Sequence, residues 1–340
     1  MTVGGIALEE RVEDVLRNYE LELLRAYRVR GAYLLETRQG TYLYKSYHGT
    51  ETRAGYEAAI QGCLEERGFP MIDRYLANRD GDFLSYDVMG EAHVVKRWFV
   101  GEECSLREQK DVRLAASRLA ELHTAMKGLR ADLSFEVRPR DSHIEALQRR
   151  HLRELQRIKT YIRNKRDRNP FEVRYLQCAD ELYLQGKEAA EFLTRQKPGE
   201  LEARAEQAGD FVHGSYTYHN LILQKNGAAV VQYDKSWLGL QLLDLYYLLR
   251  KTLEKNEWSL EAGEWVMEGY QRIHLLAREE RQVLYALLWF PDKFWKIANS
   301  YYNGKKSRIP GRNLVKLEEF LGQEEKREQF LSQGRYRIFS

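Results

Sequence analysis

The sequence predicts an α+β chain in two lobes, a small β-rich lobe followed by a larger, mostly helical one. Three observations predict it. The first hundred positions hold short runs rich in β-branched and aromatic residues, interrupted by one helical stretch. From about residue 106 apolar residues recur at i, i+3, i+4 and i+7 almost to the end. One pair of strand-like runs, "NLILQKN" and "AAVVQYD", interrupts that helical half. At 340 residues the chain is long enough for each lobe to bury its own core.

The elements follow in order. Leu8, Val12, Val15, Leu16 and Tyr19 fall at helical spacing and predict a short amphipathic helix at the start. "AYRVRGAYLLET" and "TYLYKSYHG" then read as strands, with Gly40 at the turn between them. "TETRAGYEAAIQGCLEERGFP" reads as a helix capped by Thr50 or Thr52 and closed by Gly68, with Pro70 beyond. "DFLSYDVM" and "AHVVKRWFV" complete the small lobe, which spans residues 1–100, and a hinge is expected over 101–105. In the helical lobe, 106–340, "EQKDVRLAASRLAELHTAMKGL" ends at Gly128, and long charged helices are expected over 142–166 and 172–207. A hairpin turning at Asn226-Gly227 occupies 211–234, and helices run from there to the C-terminus, one of them spanning "NLVKLEEFLGQEEKREQF".

Composition excludes several classes. No run of 18 residues is free of charge, so no transmembrane helix and no membrane partner are expected. The first twenty residues turn acidic by residue 9 and lack the basic and apolar regions of a secretory signal, which predicts synthesis in a cytoplasm. Cys63, Cys104 and Cys178 are few, odd in number and far apart, a pattern of packed thiols rather than of disulfides or zinc ligands. The net charge of +3 is small but uneven: residues 138–168 hold eleven Lys and Arg against four Asp and Glu. That segment reads first as a solvated helix face and second as a contact surface for an acidic partner. Few aromatics interleave with its charges, so nucleic acid is not the expected partner.

A β-rich lobe with one helix, joined to a helical lobe containing a hairpin, is the arrangement of protein-kinase-like folds. Phosphoryl transfer needs a Lys on the phosphates, a helix carboxylate to hold that Lys, oxygen ligands for Mg²⁺, and a carboxylate facing the attacking hydroxyl. Lys45 alternates onto the face of Leu43, which suggests a head pointing into the cleft. Glu57 lies in line with Ile60 and Leu64 and is the carboxylate expected to pair with Lys45, with Glu51 in reserve. Only Gly31 separates the first two strands, so a phosphate-cradling glycine loop is minimal at best. In "FVHGSYTYHN", His213, Gly214 and Asn220 match the H-G-D-x-x-x-x-N loop of kinases related to aminoglycoside phosphotransferases, where the Asp orients the hydroxyl and the Asn holds Mg²⁺.

Two positions depart from that chemistry. Ser215 stands at the Asp position, and a neutral hydroxyl is a poor proton acceptor without its own base. Aligning "VVQYD" on the strand that carries the main metal Asp places Gln232 there, and an uncharged amide is a weak ligand for a hard cation. Asp234 follows two residues on, which along a strand would carry it roughly 6–7 Å away. Read alone, these residues describe a degenerate site: Ser215 and Gln232 in the chemical positions, His213 and Asn220 as remnants. Lys45, Glu57, Asn220 and Asp234 form the candidate nucleotide site, and no metal site is expected.

The chain resembles the CotS-like spore coat proteins of endospore-forming bacteria, which share the aminoglycoside phosphotransferase, kinase-like fold. The resemblance runs nearly the whole length. It lies in "GTYLYKSYHG", "ERGFP", "VVKRWFVGEECSL", "AASRLAELHTAMKG", "HGSYTYHNLIL" with its His219-Asn220 pair, "DLYYLLRKTLEKNEW" and, most specifically, "FPDKFWKIANSYYNGKKSRIPGRNLVKLEEF". It implies a structural component of the endospore coat, made in the mother-cell cytoplasm and deposited on the spore, with other coat proteins as partners and 138–168 as the candidate contact surface. With Ser215 and Gln232 departing from the family's loop and metal positions, the expectation is a pseudokinase needing no cofactor. Two other readings stay open: a phosphotransferase on a small hydroxyl- or amine-bearing substrate using ATP and Mg, and a metal-independent nucleotide-binding module using Lys45 and the hinge near Trp98–Val100.

Overall fold

The computed structural model describes residues 15–29, 31–137, 143–303 and 310–340. Leu8 and Val12 of the expected first helix, and residues 138–142 of the basic segment, lie outside the described residues.

The small lobe is one antiparallel sheet of five strands: β1 (Leu23–Val29), β2 (Ala32–Thr37), β3 (Gly40–Ser46), β4 (Ser85–Tyr86) and β5 (Ala92–Arg97), in spatial order β1-β2-β3-β5-β4. Alternation along the strands gives the sheet two apolar faces. One buries Leu35, Tyr44 and Val95 against Val15, Leu16 and Tyr19, which precede the sheet. The other packs Val94 against Ala54 and Ala58 of helix α1 (Glu51–Glu66). Thr50 caps that helix by accepting the Arg53 N–H at 3.2 Å. In the β3–β5 register Leu43 faces Lys96 and Lys45 faces Val94, so both lysines project from the face that meets α1.

Gly101 brings the chain into the second lobe. A Cβ at Gly101 would stand 2.2 Å from the Leu223 carbonyl oxygen, so only glycine permits this approach. The segment is then stitched down: β6 (Glu102–Glu103) pairs with β8 (Leu221–Gln224), whose partner is β9 (Gly227–Val230), and the Gln224 amide donates to the Val100 carbonyl at 2.9 Å. A second small pair joins β7 (Phe211–Val212) to β10 (Trp237–Leu238).

The helices are α2 (Gln109–Met126), α3 (Ile144–Arg163), α4 (Pro170–Arg195), α5 (Pro198–Ala208), α6 (Leu242–Lys255), α7 (Leu260–Gln271), α8 (Arg278–Trp289), α9 (Asp292–Asn303), α10 (Pro310–Leu321) and α11 (Glu324–Arg337). Residues from α2, α6, α7 and α8 form the main core, and a second cluster joins α3 and α4 to α9 and α10 through Ile162, Phe171, Tyr175 and Phe294. Cys104 and Cys178 are buried free thiols, each pushed up to about 12 by burial, as expected of packed cysteines. Among the described residues no helix is long and apolar enough to cross a membrane.

Three elements differ from the sequence expectation. The helix expected over 172–207 breaks at Lys197-Pro198, because proline offers no N–H and drives its predecessor out of the helical region; Lys197 sits at φ 51°. The expected last helix divides at Gly322-Gln323 into α10 and α11. The strand expected to run through Asp234 ends at Val230; Gln232 takes a left-handed conformation, φ 70°, and Tyr233–Lys235 form a single 3-10 turn. Asp234 is therefore not displaced along a strand from Gln232 but follows it around a sharp bend.

Candidate functional site

Between the lobes the structure assembles side chains from six segments. From β3, Lys45 is half-buried and its Nζ donates to Gln232 Oε1 at 2.8 Å, so the two cleft residues singled out in the sequence do meet. Burial first, then the nearby Lys96 charge, lower the Lys45 pKa against the opposing pull of Asp73, Asp234 and Glu57.

The expected Lys45–Glu57 pair is not formed. Glu57, 1% exposed, is paired instead with Lys96 of β5 at 3.7 Å and with Arg53, one turn back on α1, at 3.5 Å. It also accepts from the hydroxyls of Tyr75 at 2.5 Å and Tyr47 at 3.1 Å, so both its oxygens are filled. Lys96 is fully buried, lies 4.1 Å above the Tyr75 ring and donates to Asp73 Oδ2 at 3.3 Å. Asp73, also fully buried, takes further bonds from the Gln61 amide at 3.0 Å and from the backbone N–H of Gln232 at 3.1 Å. A buried ion pair persists only when its remaining hydrogen-bonding capacity is met, and here it is. Glu51, the reserve partner, accepts from the Phe83 N–H at 3.1 Å and serves the loop before β4.

Lys96 carried the same sequence signal as Lys45, a lysine alternating with Val94 onto an apolar face. Asp73, in an irregular segment, carried none.

On the helical side, the loop is braced from below. Asp244, 1% exposed and on the first turn of α6, accepts the backbone N–H of His213 at 2.7 Å and of Gly214 at 3.0 Å. His213 is wholly buried between the rings of Tyr216 and Tyr233; its Nδ1 accepts the Ser215 N–H at 3.2 Å, and burial lowers its pKa, so it stays neutral. Gly214 has φ 72°, and a Cβ there would lie 2.2 Å from the Lys235 carbonyl oxygen. Asn220 donates to the Ser215 carbonyl at 2.8 Å and to its Oγ at 3.2 Å, so the two ends of the loop are tied to each other. His219, by contrast, is exposed and pairs with Glu103 of β6. His213 and Asn220 thus act as internal braces of the loop, and Asp244 is the brace that sequence reasoning missed.

A divalent cation would find few ligands in this arrangement. Gln232 Oε1 is neutral and committed to Lys45, and Asp73 is committed to Lys96 and Gln61. Asp234 is half-buried; its carbonyl accepts from Arg53, and its carboxylate has no hydrogen bond among the described residues. A hard cation beside phosphates needs several anionic oxygens in one coordination shell. Asp234 supplies the one carboxylate here without a hydrogen bond among the described residues, and the donor set does not fit Mg²⁺.

Lobes, hinge, braced loop and hairpin together define the fold: this is the kinase-like fold of the aminoglycoside phosphotransferases. No family model matches the chain. Solved structures do. An aminoglycoside phosphotransferase from Alicyclobacillus acidocaldarius superposes with a TM-score of 0.84 at 18% identity, covering 96% of each chain. An AMP-bound spectinomycin phosphotransferase gives 0.64 at 12% identity, over 92% of this chain and 94% of that one. A structure described as a putative aminoglycoside phosphotransferase from Ralstonia eutropha gives 0.57 at 14%, over 96% and 98%. At these identities the likeness establishes the fold.

Proposed function

We propose that this chain is a kinase-fold protein that works by binding rather than by transferring phosphate, and that its setting is the endospore coat. The observation that carries the first part is the Lys45–Gln232 hydrogen bond. The lysine that would meet phosphates is held by a neutral amide, and that amide occupies the position of the principal metal ligand. Ser215, tied to Asn220, gives the loop no base. The second part is supported by the resemblance to CotS-like coat proteins, above all in residues 290–320. The exposed arginines of α3 would then be the face offered to other coat proteins.

The competing reading is a phosphotransferase acting on a small molecule. It is favoured by the fold neighbours, which are phosphotransferases, and by the carboxylate of Asp234, which no side chain among the described residues holds. Thermal melts with ATP, with and without Mg²⁺, separate the two. A ligand at a hundredfold excess over its dissociation constant stabilises the folded state by about 2.7 kcal/mol. No Mg²⁺-dependent shift is expected of the native chain. The variant carrying Ser215→Asp and Gln232→Asp should acquire one. A Mg²⁺-dependent shift in the native chain, with γ-phosphate turnover lost on Asp234→Asn, would refute the binding reading. For the setting, a fluorescent fusion that stays in the mother-cell cytoplasm of sporulating cells and never reaches the spore would refute the coat assignment.

A further inference from the structure

Helix α3 has one face committed to the interior, where Leu155, Ile158 and Ile162 pack with Phe171, Tyr175 and Phe294. Its charges are lopsided: Arg149, Arg150, Arg153, Arg157, Lys159 and Arg163 stand against Glu145 and Glu154. Arg149, Arg153 and Arg157 follow one another at four-residue steps, which stacks three like charges on one stripe and disfavours the isolated helix. Neighbours answer part of this charge. Arg149 pairs with Glu145 at 2.6 Å, Arg150 with Glu154 at 3.7 Å, and Lys159 with Asp180 of α4. Arg153 and Arg157, both exposed, meet no carboxylate among the described residues.

Two hollows open along this stripe. One, of about 760 Å³, runs between α3 and α4 over Leu152 and Tyr183, with Arg149, Arg153 and Arg157 on its α3 side. The other, of about 680 Å³, lies between α3, the start of α4 and the end of α9, where Tyr301 and Tyr302 line it. Arg157 and Tyr161 belong to both, so the hollows form one continuous groove. Few aromatics interleave with these charges in sequence, but the fold brings them in from α4 and α9. Tyr161, 57% exposed, stands edge-on to Tyr302 with ring centres 5.5 Å apart. At 1.5 Å rise per residue, Arg149 to Tyr161 spans roughly 18 Å, the length of about five residues of extended chain.

The two arms differ in charge. The first offers the unanswered guanidinium groups. In the second, Lys165 is taken by Glu172 at 2.6 Å, and Glu154 accepts from Trp295 Nε1 at 2.6 Å besides meeting Arg150. That arm therefore presents neutralised pairs and tyrosine rings. A uniformly charged strand such as a nucleic acid would meet spare cations along only half of the groove. An acidic stretch of protein that gives way to aromatic or apolar residues matches both halves. Its carboxylates suit the planar fork of arginine, and its uncharged end suits the tyrosines.

We propose that this groove is a docking site for an acidic linear segment of a partner protein, with carboxylates on Arg153 and Arg157 and an aromatic or apolar side chain beside Tyr161. The inference narrows the reading of α3 as a face for other proteins; it rests on that reading for the class of partner and not for the spore setting.

The test is fluorescence anisotropy with the full chain and a labelled peptide of three glutamates followed by glycine, tyrosine and leucine. The same peptide with glutamines, and a labelled oligothymidine of equal length, are the comparisons. At about 0.1 M salt the glutamate peptide should bind saturably and more tightly than either, and it should weaken at about 1 M, where the screening length falls to roughly 3 Å. Arg153→Glu with Arg157→Glu should weaken it about tenfold or more, and a peptide with lysines for the glutamates should then bind the variant better than the native chain. Tyr161→Ala should weaken the glutamate peptide without changing its salt dependence. No saturation by ~1 mM peptide overturns the proposal, as does equal binding of the glutamine peptide or tighter binding of the oligothymidine. So does affinity untouched by the charge reversal or by Tyr161→Ala. If the reversed variant does not fold, Arg153→Gln with Arg157→Gln replaces it, and unchanged affinity there overturns the site. The measurement needs no sporulating cell, so the groove and the coat setting can each fail while the other stands.

Discussion

Replacing Lys96 by methionine should damage this protein far more than the same change at Lys45, although Lys45 is the lysine that sequence reasoning pairs with Glu57. Lys96 is fully buried between Asp73 at 3.3 Å and Glu57 at 3.7 Å, themselves 0% and 1% exposed. Removing one partner of a buried pair costs about 3–5 kcal/mol, because the abandoned charge cannot reach water. Arg53, Tyr75 and Tyr47 still donate to Glu57 and Gln61 to Asp73, which holds the loss near the lower end, about 3–4 kcal/mol. Lys45 is half-buried and gives one hydrogen bond to a neutral amide, so Lys45→Met should cost about 1 kcal/mol at most. At roughly 2.1 cal/mol/K per residue the 340-residue chain has a melting entropy of about 0.7 kcal/mol/K, which converts these losses to about 4–6 °C and about 1 °C. Calorimetry reads both. Adding Asp73→Asn to Lys96→Met should recover part of the loss, with a coupling of about 0.5–3 kcal/mol. Equal losses at the two lysines, or a Lys96→Met loss below about 1 kcal/mol with no coupling to Asp73, would refute the assignment of Lys96 as the partner of Glu57.

Two further outcomes are expected. Asp244→Asn leaves one acceptor oxygen for two backbone donors, so the N–H of His213 or Gly214 should go unpaired at a cost of about 1–3 kcal/mol; hydrogen exchange should show that amide opening, and full protection at both would contradict the brace. Stability should also fall with acidification between about 6.5 and about 4. His151 is held neutral in the fold but takes a proton when unfolded, so over that window the unfolded chain binds the extra proton and stability rises with pH. Melting temperatures of His151→Phe should be flatter than the native chain's in that range, and parallel curves would show that the imidazole contributes nothing.

Where the sequence carries a period, it was informative about this fold. Alternation placed Lys45 toward the cleft, the apolar stripe through Ile60 and Leu64 buried Glu57, and Thr50 marked the start of α1. What escaped has a common physical origin. Glu57 found its lysine on β5 rather than β3 because two adjacent antiparallel strands present residues of one parity on the same face, and the sequence does not rank two lysines that share a face. Asp73 and Asp244 matter through the backbone amides they receive, and a one-residue acceptor has no pattern to detect. The bend at Gln232 was hidden because Gln is not a residue whose presence signals a left-handed conformation, as Gly or Asn would be.

These residues also show why neutral side chains at the chemical positions do not loosen the site. In a cleft built around a metal, the charges that hold the framework and those that do chemistry overlap, and losing one disturbs the other. Here they are separated. Helix α1 is fastened to the sheet by Lys96, Glu57, Asp73 and Tyr75, none of which needs Lys45, and the loop is fastened to α6 by Asp244, which does not need Ser215. The framework is charged, buried and fully partnered, whereas Lys45, Ser215 and Gln232 are half-exposed and partner one another or Asn220. None of these framework contacts passes through the side chain of Lys45, Ser215 or Gln232. The binding reading proposed above requires that independence: the cleft must hold its shape through the buried pairs alone.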